Sequence, residues 1–151
     1  MTMQSRGRSP DDLSASIHRA SRGAFAAGLE IGIEQLGPGQ MVGRMVLQDQ
    51  HLIEAGGLVH AGTVFGLADT CAGWGCLASL PEGMYGFATI EAKINLIATT
   101  GQGDTLVATA VMEHSGRTTQ VWNVEVGRQR EPRKIGLYRC TQMLLPATRG
   151  E

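Results

Sequence analysis

One apolar run of 24 residues, from Gly57 to Leu80, constrains the fold of this chain more than any other segment. The run, GLVHAGTVFGLADTCAGWGCLASL, contains one acidic residue, Asp69, and no Lys or Arg occurs between Arg44 and Lys93. Its apolar side chains recur at helical spacing, which predicts a long helix with one continuous packing face. That face consists of Val64, Leu67, Cys71, Trp74 and Ala78.

Small residues surround Asp69 on the other side of the predicted helix. They are Gly62, Gly66, Ala72, Gly73 and Cys76. An ionised carboxylate that is removed from water is costly unless it is paired, so Asp69 is a candidate functional residue. We therefore expect the small-residue side to be open to a thin ligand or a partner backbone. The alternatives are that Asp69 lies on an exposed stripe of an amphipathic helix and that Gly66 and Gly73 only permit tight packing within the fold.

Length and composition indicate a single globular domain. The 151 residues include 42% hydrophobic residues, enough to bury one core, and we expect a polar disordered tail over residues 1–10 and one domain over residues 11–151. The net charge of −1 gives no support to nucleic-acid or membrane-surface binding through bulk electrostatics. From Glu113 onwards there are seven Lys or Arg residues against four Glu. This basic excess can face an anionic ligand or simply form a solvated surface.

The cysteines and histidines indicate a reduced protein without a metal site. Three cysteines without a CxxC pair, together with the lack of a leader pattern, predict a cytoplasmic protein. The four histidines form no spaced set with Cys or Asp that is typical of zinc, so we predict neither a metal nor a cofactor. The apolar run is long enough for a membrane span, but His60, Asp69 and its many glycines favour a helix that is buried by protein.

The rest of the chain predicts one short helix and six strands. Ser9, Pro10 and Asp12 suit the N-cap, N1 and N3 positions of the helix. LEIGIEQL and MVGRMVLQ alternate apolar and polar residues around the turn GPGQ, which predicts a hairpin before the long helix. Four further strands follow it: GFATIEAKINLIA, DTLVATAVMEHS, TTQVWNVEVGRQ and KIGLYRCTQMLL. An antiparallel sheet of this extent should wrap the apolar helix, which gives an α+β fold.

The segment GLVHAGTVFGLADTCAGW resembles the signature of hotdog-fold acyl-CoA thioesterases, specifically the phenylacetyl-CoA thioesterase-like family. The similarity extends through GLEIGIEQLGPGQMVGRMVL and GDTLVATAVMEHSGRTTQVWNVEV, so it covers about residues 24–145. It implies a hotdog fold, in which an antiparallel sheet wraps one long central helix. It also implies a homodimer with one continuous sheet, often assembled into a homotetramer. The active site is then shared, with the helix carboxylate from one subunit and the loop before the helix from the other.

The resemblance assigns catalytic roles to residues of the long helix and its start. Asp69 matches the family carboxylate that acts as a general base on water or as a nucleophile on the thioester carbonyl. His60 matches the signature histidine, while Ala61 stands at the first glycine of the signature and Gly62 at the second. Backbone N–H groups at this helix start are expected to polarise the thioester oxygen, because free amides and the helix dipole favour negative charge. Ala61 keeps its N–H, although glycine reaches backbone angles that alanine avoids.

Six residues before His60, Glu54 stands where many relatives of the resembled family have Asn or Gln. It is either a supporting catalytic carboxylate or a solvent-facing linker residue. The candidate substrate contacts are Thr63, Gly66, Gly73, Arg117, Thr118 and Thr119. The last three lie in the turn SGRTT, which in the family is close to the pantetheine and nucleotide of CoA, and an arginine suits a phosphate. Cys71 points about 200° away from Asp69 and is predicted to be core.

Three functions of different classes follow from the resemblance. The first, which we favour, is hydrolysis of a small or medium acyl-CoA or aryl-acyl-CoA to free acid and CoA. The second is an acyl-thioester dehydratase or hydratase, which the signature disfavours because those enzymes typically pair a carboxylic acid with a histidine and lack this helix start. The third is a non-catalytic acyl-CoA-binding module, which Glu54 and Ala61 keep open.

Overall fold

In the computed structural model of the protein, residues 9–131 and 133–147 are described. Helix α1 spans Pro10–Ala20, so it begins within the region predicted as a disordered tail, residues 1–10. Residues 1–8 lie outside the described part of the chain. Ser9 caps the helix, because its Oγ accepts a hydrogen bond from the Asp12 N–H at 3.2 Å. The Asp12 carboxylate accepts one in return from the Ser9 N–H at 3.3 Å. This capping box confirms the predicted helix start.

Six antiparallel strands form one sheet with the order β1-β2-β4-β5-β6-β3. The strands are β1 (Gly32–Gly37), β2 (Gln40–Val46), β3 (Met84–Leu96), β4 (Thr105–Ser115), β5 (Thr119–Arg128) and β6 (Lys134–Pro146). The predicted hairpin is β1–β2, and the four later strands are also confirmed. Strands β1 and β3 form the two edges of the sheet, and the pairing of β3 with β6 contains a β-bulge between Thr89 and Glu91.

Helix α3 (Ala61–Ala78) is the long predicted helix, and it contacts all six strands. Val64, Leu67 and Cys71 on its predicted packing face are buried against the sheet. The expectation of a sheet that wraps one central helix is therefore confirmed. A further helix, α2 (Phe25–Gly28), was not expected, because its four residues offer neither a side-chain cap nor a helical period.

The small-residue side of α3 is covered, so the expectation of an open face is wrong. A Cβ added at Gly66 would lie 3.0 Å from the Phe25 ring of α2 and 3.1 Å from a Leu29 methyl group. One added at Gly73 would lie 2.6 Å from the Phe87 ring of β3. Both glycines thus allow α2 and β3 to approach α3 closely, and tight packing within the fold accounts for them.

A chain of hydrogen bonds fixes the C-terminal end of α3. The Ser79 hydroxyl donates to the Gly75 carbonyl at 2.8 Å and accepts from the Gly39 N–H at 2.8 Å. The Gln120 side-chain amide donates to the Ser79 carbonyl at 2.9 Å, and its oxygen accepts from the Trp122 indole N–H at 3.0 Å. The Trp122 ring is fully buried against the helix, so it has little room to move.

We expect Gly75→Ala to destabilise the protein. The new Cβ would lie 2.7 Å from two carbons of the Trp122 ring. Overpacking of a rigid core costs about 1–3 kcal/mol, while alanine gains about 1 kcal/mol of helix propensity over glycine, so the net loss should be about 1 kcal/mol. Gly66→Ala is the matched control, because the Phe25 ring in its way is 70% exposed and can move. Urea unfolding of both variants measures the difference, and equal stabilities would contradict this account.

Candidate active site

His60 forms the N-cap of α3, with its backbone in the extended region at φ −70° and ψ 139°. Its ring atom Nδ1 accepts a hydrogen bond from the Gly62 N–H at 2.9 Å. Of the two amides predicted to polarise a thioester oxygen, that of Gly62 is therefore already bonded to the imidazole. The Ala61 N–H, at the first helical position, has no carbonyl acceptor within the helix. The start of α3 thus offers the Ala61 amide as its free donor, with the positive end of the helix dipole behind it.

Alanine fits the first glycine position of the signature without strain. Glu30 is the one non-glycine residue with a positive φ among those described, so Ala61 needs none of the backbone freedom of glycine. Glycine is required at the next position for a different reason. A Cβ on Gly62 would lie 2.9 Å from His60 Nδ1, where it would collide with the imidazole that accepts the Gly62 N–H.

Asp69 lies half-buried in the middle of α3, and two hydroxyl groups of the sheet lie next to its carboxylate. Tyr138 of β6 donates a hydrogen bond to Asp69 Oδ1 at 2.5 Å, and the Thr89 hydroxyl of β3 lies 3.3 Å from the same oxygen. Tyr138 is only 2% exposed. Burial, together with its hydrogen bond to Asp69, raises the pKa of the Tyr138 phenol above its usual range, so the phenol stays protonated and remains a donor.

Asp69 and the helix start are too far apart within one subunit to act on the same carbonyl group. Ala61 and Asp69 are separated by eight positions on α3, which corresponds to about 12 Å at the rise of an α-helix. A reacting carbonyl must lie about 3 Å from both the oxyanion donor and the attacking group. A single chain therefore presents two half-sites, one at the helix start and one at Asp69.

Glu54 lies on an exposed loop that precedes the helix start. The Gly57 N–H donates to the Glu54 carbonyl at 2.9 Å, and the Ile53 N–H donates to the Leu58 carbonyl at 2.9 Å, so the loop closes as a tight turn. Gly56 within it has φ +69°, a conformation that favours glycine. The backbone of the loop is thus well defined, while the carboxylate of Glu54 points to a solvent-accessible surface.

The other predicted contacts divide into one buried residue and one exposed turn. Thr63 is buried, and its hydroxyl donates to the His51 carbonyl at 2.8 Å, so it fastens the loop before α3 to the helix. Arg117 and Thr118 are exposed in the turn between β4 and β5, and Thr119 begins β5. The Gly116 N–H donates to the Thr119 carbonyl at 2.8 Å and closes this turn.

Three residues near these positions were missed by the sequence analysis: Tyr138, Thr89 and His51. His51 is buried, its Nδ1 accepts from the Gln48 N–H at 3.1 Å, and its Nε2 has no hydrogen-bond partner among the described residues. It lines a cavity of about 660 Å³ beside the helix start, together with Phe25, Leu29, Leu52, His60 and Thr63. The sequence feature that could have identified Tyr138 is the alternation of inward and outward residues along β6. It places Tyr138 on the same strand face as Cys140 and Gln142.

Within the described residues, 9–131 and 133–147, no three His, Cys, Asp or Glu side chains are grouped so that they could hold a metal ion. No helix in this part of the chain combines the length and apolar character that a membrane crossing requires.

Comparison with known sequences identifies the family. A sequence model of the thioesterase superfamily matches residues 56–133. The acyl-coenzyme A thioesterase PaaI of Escherichia coli strain K12 is 30% identical to this chain over 116 residues, which are 77% of this chain and 79% of PaaI. The chain belongs to the thioesterase superfamily and is a thioester hydrolase.

Solved structures show the same architecture. The PaaI protein from the E. coli phenylacetic acid degradation operon has a TM-score of 0.78 at 26% identity, over 93% of this chain and 99% of that one. A thioesterase from Haemophilus influenzae has a TM-score of 0.82 at 18% identity, over 97% of both chains. A Streptococcus mutans protein bound to acetyl CoA has a TM-score of 0.69 at 24% identity, over 77% of this chain and 89% of that one. The hotdog fold and the resemblance to the phenylacetyl-CoA thioesterase-like family are thereby confirmed.

We expect His60→Ala to lower the free energy of unfolding by about 1 kcal/mol, because it removes the side-chain acceptor at the N-cap of α3. His60→Asn keeps a short side-chain acceptor and should retain nearly all of the stability. Thermal or urea unfolding of the two variants provides the measurement. A His60→Asn variant that is destabilised as much as His60→Ala would show that the imidazole stabilises the helix by something other than capping.

Proposed function

We propose that this protein hydrolyses the thioester bond of a small or medium acyl-CoA or aryl-acyl-CoA to give the free acid and CoA, with Asp69 as general base or nucleophile. The observation that carries the proposal is the Asp69 carboxylate, which is held inside the fold by the Tyr138 hydroxyl, with the Thr89 hydroxyl beside it and no cation among these contacts. A carboxylate held in this way is available as a base. The identity to an acyl-coenzyme A thioesterase supports CoA as the carrier, and two solved relatives, from Streptococcus mutans and Streptococcus pneumoniae, contain acetyl CoA or coenzyme A.

The two half-sites are proposed to combine across a homodimer, which can pair further into a tetramer. Strand β3 supports this proposal, because it is a 13-residue edge strand with exposed apolar side chains, including Ile90 at 56% and Leu96 at 44%. A long exposed edge of this kind is a template for pairing with another strand. Thr89 of the same strand contacts Asp69, so the carboxylate lies next to the edge at which a second copy would bring its own helix start.

In this mechanism the thioester oxygen accepts a hydrogen bond from the Ala61 N–H of one subunit, and Asp69 of the other subunit acts on the opposite side of the carbonyl. As a base, Asp69 takes a proton from water while the hydroxide adds to the carbonyl carbon. The tetrahedral intermediate then expels the CoA thiolate, which takes up the proton. As a nucleophile, Asp69 would instead attack the carbonyl carbon and displace the CoA thiolate to form an acyl anhydride. Water then hydrolyses the anhydride to the free acid and the Asp69 carboxylate, and the proton released neutralises the thiolate. Both routes give the same acid and thiol.

The remaining site residues are proposed to bind or orient the substrate. The cavity beside the helix start is assigned to the acyl group, since its volume of about 660 Å³ is typical of small-molecule pockets and it lies against His60 and Gly62. Arg117 is assigned to a phosphate of CoA, with Thr118 and Thr119 beside it. Glu54 is assigned a supporting role on the loop before the helix. Gly66 and Gly73 are given no contact with substrate, because other side chains of the fold cover them.

The cysteines are assigned no catalytic role. Cys71, Cys76 and Cys140 are free and buried. Burial raises the pKa of the Cys71 and Cys76 thiols to about 12, so neither forms the thiolate that nucleophilic attack requires. Three unpaired thiols also support our proposal of a reducing, cytoplasmic location.

We expect Asp69→Asn to reduce kcat for CoA ester hydrolysis by at least ~100-fold, because an amide neither accepts the proton nor attacks the carbonyl. The asparagine oxygen can still accept from the Tyr138 hydroxyl, so the variant should fold. Release of free thiol from a panel of acyl-CoA and aryl-acyl-CoA esters is the measurement. Turnover near that of the wild type would overturn the role of Asp69, and a wild-type protein that binds these esters without releasing thiol would favour the binding-module alternative.

The shared site predicts complementation between Asp69→Asn and His60→Ala. We expect His60→Ala to lose activity because the imidazole caps the helix start and so holds the Ala61 N–H in place for the thioester oxygen. Random mixing of Asp69→Asn and His60→Ala subunits gives hybrid dimers that each contain one intact composite site, so about a quarter of wild-type activity should return. Mixing either variant with itself is the control. If subunit exchange is demonstrated by mass spectrometry and no activity returns, the active site is not shared between subunits.

A further inference from the structure

The contact between Tyr138 and Asp69 carries an inference that the proposed reaction does not contain. The two residues are 69 positions apart, and their O–O distance of 2.5 Å is that of a strong hydrogen bond from a hydroxyl to a carboxylate. The contact involves Oδ1 alone. Oδ1 is therefore bonded to the sheet, whereas Oδ2 has no hydrogen-bond partner among the described residues.

The ring of Tyr138 is fixed in place, so its hydroxyl defines a position in space. Tyr138 pairs with Ile94 of β3 on one side and with Val124 of β5 on the other. Its ring meets the Phe65 ring edge-on, at 5.3 Å between centroids and 83° between planes. Phe65 precedes Asp69 by one helical turn on α3. Both ends of the hydrogen bond are thus anchored by the same helix–sheet packing, which leaves the Asp69 carboxylate little freedom to rotate.

The other groups around Asp69 contribute less. The Thr89 hydroxyl from β3 lies 3.3 Å from Oδ1 but only 2.9 Å from the Gln142 side-chain oxygen, so its single hydrogen has a nearer acceptor. Cys140 from β6 also faces Asp69, and burial raises the pKa of its thiol to about 11, so it is uncharged at neutral pH. None of these facing groups is a cation. The Tyr138 hydroxyl is accordingly the main hydrogen-bond donor to Asp69.

We propose that Tyr138 is a positioning residue that fixes Oδ1 of Asp69 and thereby directs Oδ2 at the water or at the thioester carbonyl. This role deepens the proposed hydrolysis and rests on it for its kinetic consequence. The two oxygens of the carboxylate then have different roles. Oδ1 is held in place by the fold, and Oδ2 acts on the water or on the thioester carbonyl. Tyr138 itself does not touch the substrate.

The test is Tyr138→Phe, which keeps the ring against Phe65 and removes only the hydroxyl. We expect kcat to fall about 10- to 100-fold with KM within about twofold, because the loss affects the chemical step and not binding. In an Asp69→Asn background, Tyr138→Phe should have no additional effect.

The matched control is Tyr85→Phe, which removes the hydroxyl of the only other tyrosine in the chain, an exposed residue of β3. It should leave kcat and KM unchanged. A Tyr138→Phe variant with the kcat of the wild type would overturn the positioning role. So would a loss of kcat that persists unchanged in the Asp69→Asn background, since that would indicate a structural effect.

A second measurement separates this proposal from the proposed function. Crystal structures of the wild type and of Tyr138→Phe give the orientation of the Asp69 carboxylate directly, whether or not any CoA ester is cleaved. The carboxylate should rotate or become disordered in Tyr138→Phe and keep its orientation in Tyr85→Phe. A wild-type protein without thioesterase activity but with this change in Tyr138→Phe would refute the hydrolysis alone, and an unchanged orientation would refute the role of Tyr138.

Discussion

Helix α3 is enclosed by a sheet that contacts it from all six strands, yet it carries a carboxylate in its middle. A carboxylate that is partly removed from water needs hydrogen-bond donors, because an unpaired charge there is unfavourable. The main donor comes from the sheet itself, the hydroxyl of Tyr138 on β6. Close enclosure also demands glycine where rings meet the helix, as at Gly73 under Phe87 and at Gly75 under Trp122. The enclosure of α3 by the sheet therefore accounts both for the glycines of the helix and for the donor that Asp69 requires.

The sequence predicted well what is local in the chain and poorly what depends on distant partners. The capping box at Ser9, the β1–β2 hairpin and the existence of the long apolar helix all follow from neighbouring residues, although α3 at Ala61–Ala78 is shorter at both ends than the apolar run Gly57–Leu80. Tyr138 could not be assigned to Asp69 in the same way, because the pairing depends on the strand order that places β6 beneath the helix. The expectation of an open small-residue face was wrong for a similar reason. Gly66 is covered by α2, whose four residues carry no recognisable helix signal.

At the start of α3 the motif is recognisable in the sequence, but the hydrogen bonding of its backbone N–H groups differs from what the motif implies. The family signature assigned two amides to the thioester oxygen. In the fold, the imidazole of His60 takes the Gly62 N–H, and the absence of a Cβ at Gly62 is what allows this contact. The glycine thus serves the histidine, and the departure from the signature at Ala61 costs nothing, since its backbone does not require a positive φ. Which N–H groups are free is decided by geometry that the letters of the motif do not contain.

The β-bulge in β3 has a consequence for the proposed homodimer. An extra residue between Thr89 and Glu91 interrupts the regular spacing of donors and acceptors along this edge. Two bulged strands match each other in few alignments, whereas two regular strands can slide by pairs of residues and still bond. If copies of the chain pair through β3 as proposed, the irregularity would select one register and oppose the indefinite addition of further strands, so an exposed apolar edge need not lead to aggregation.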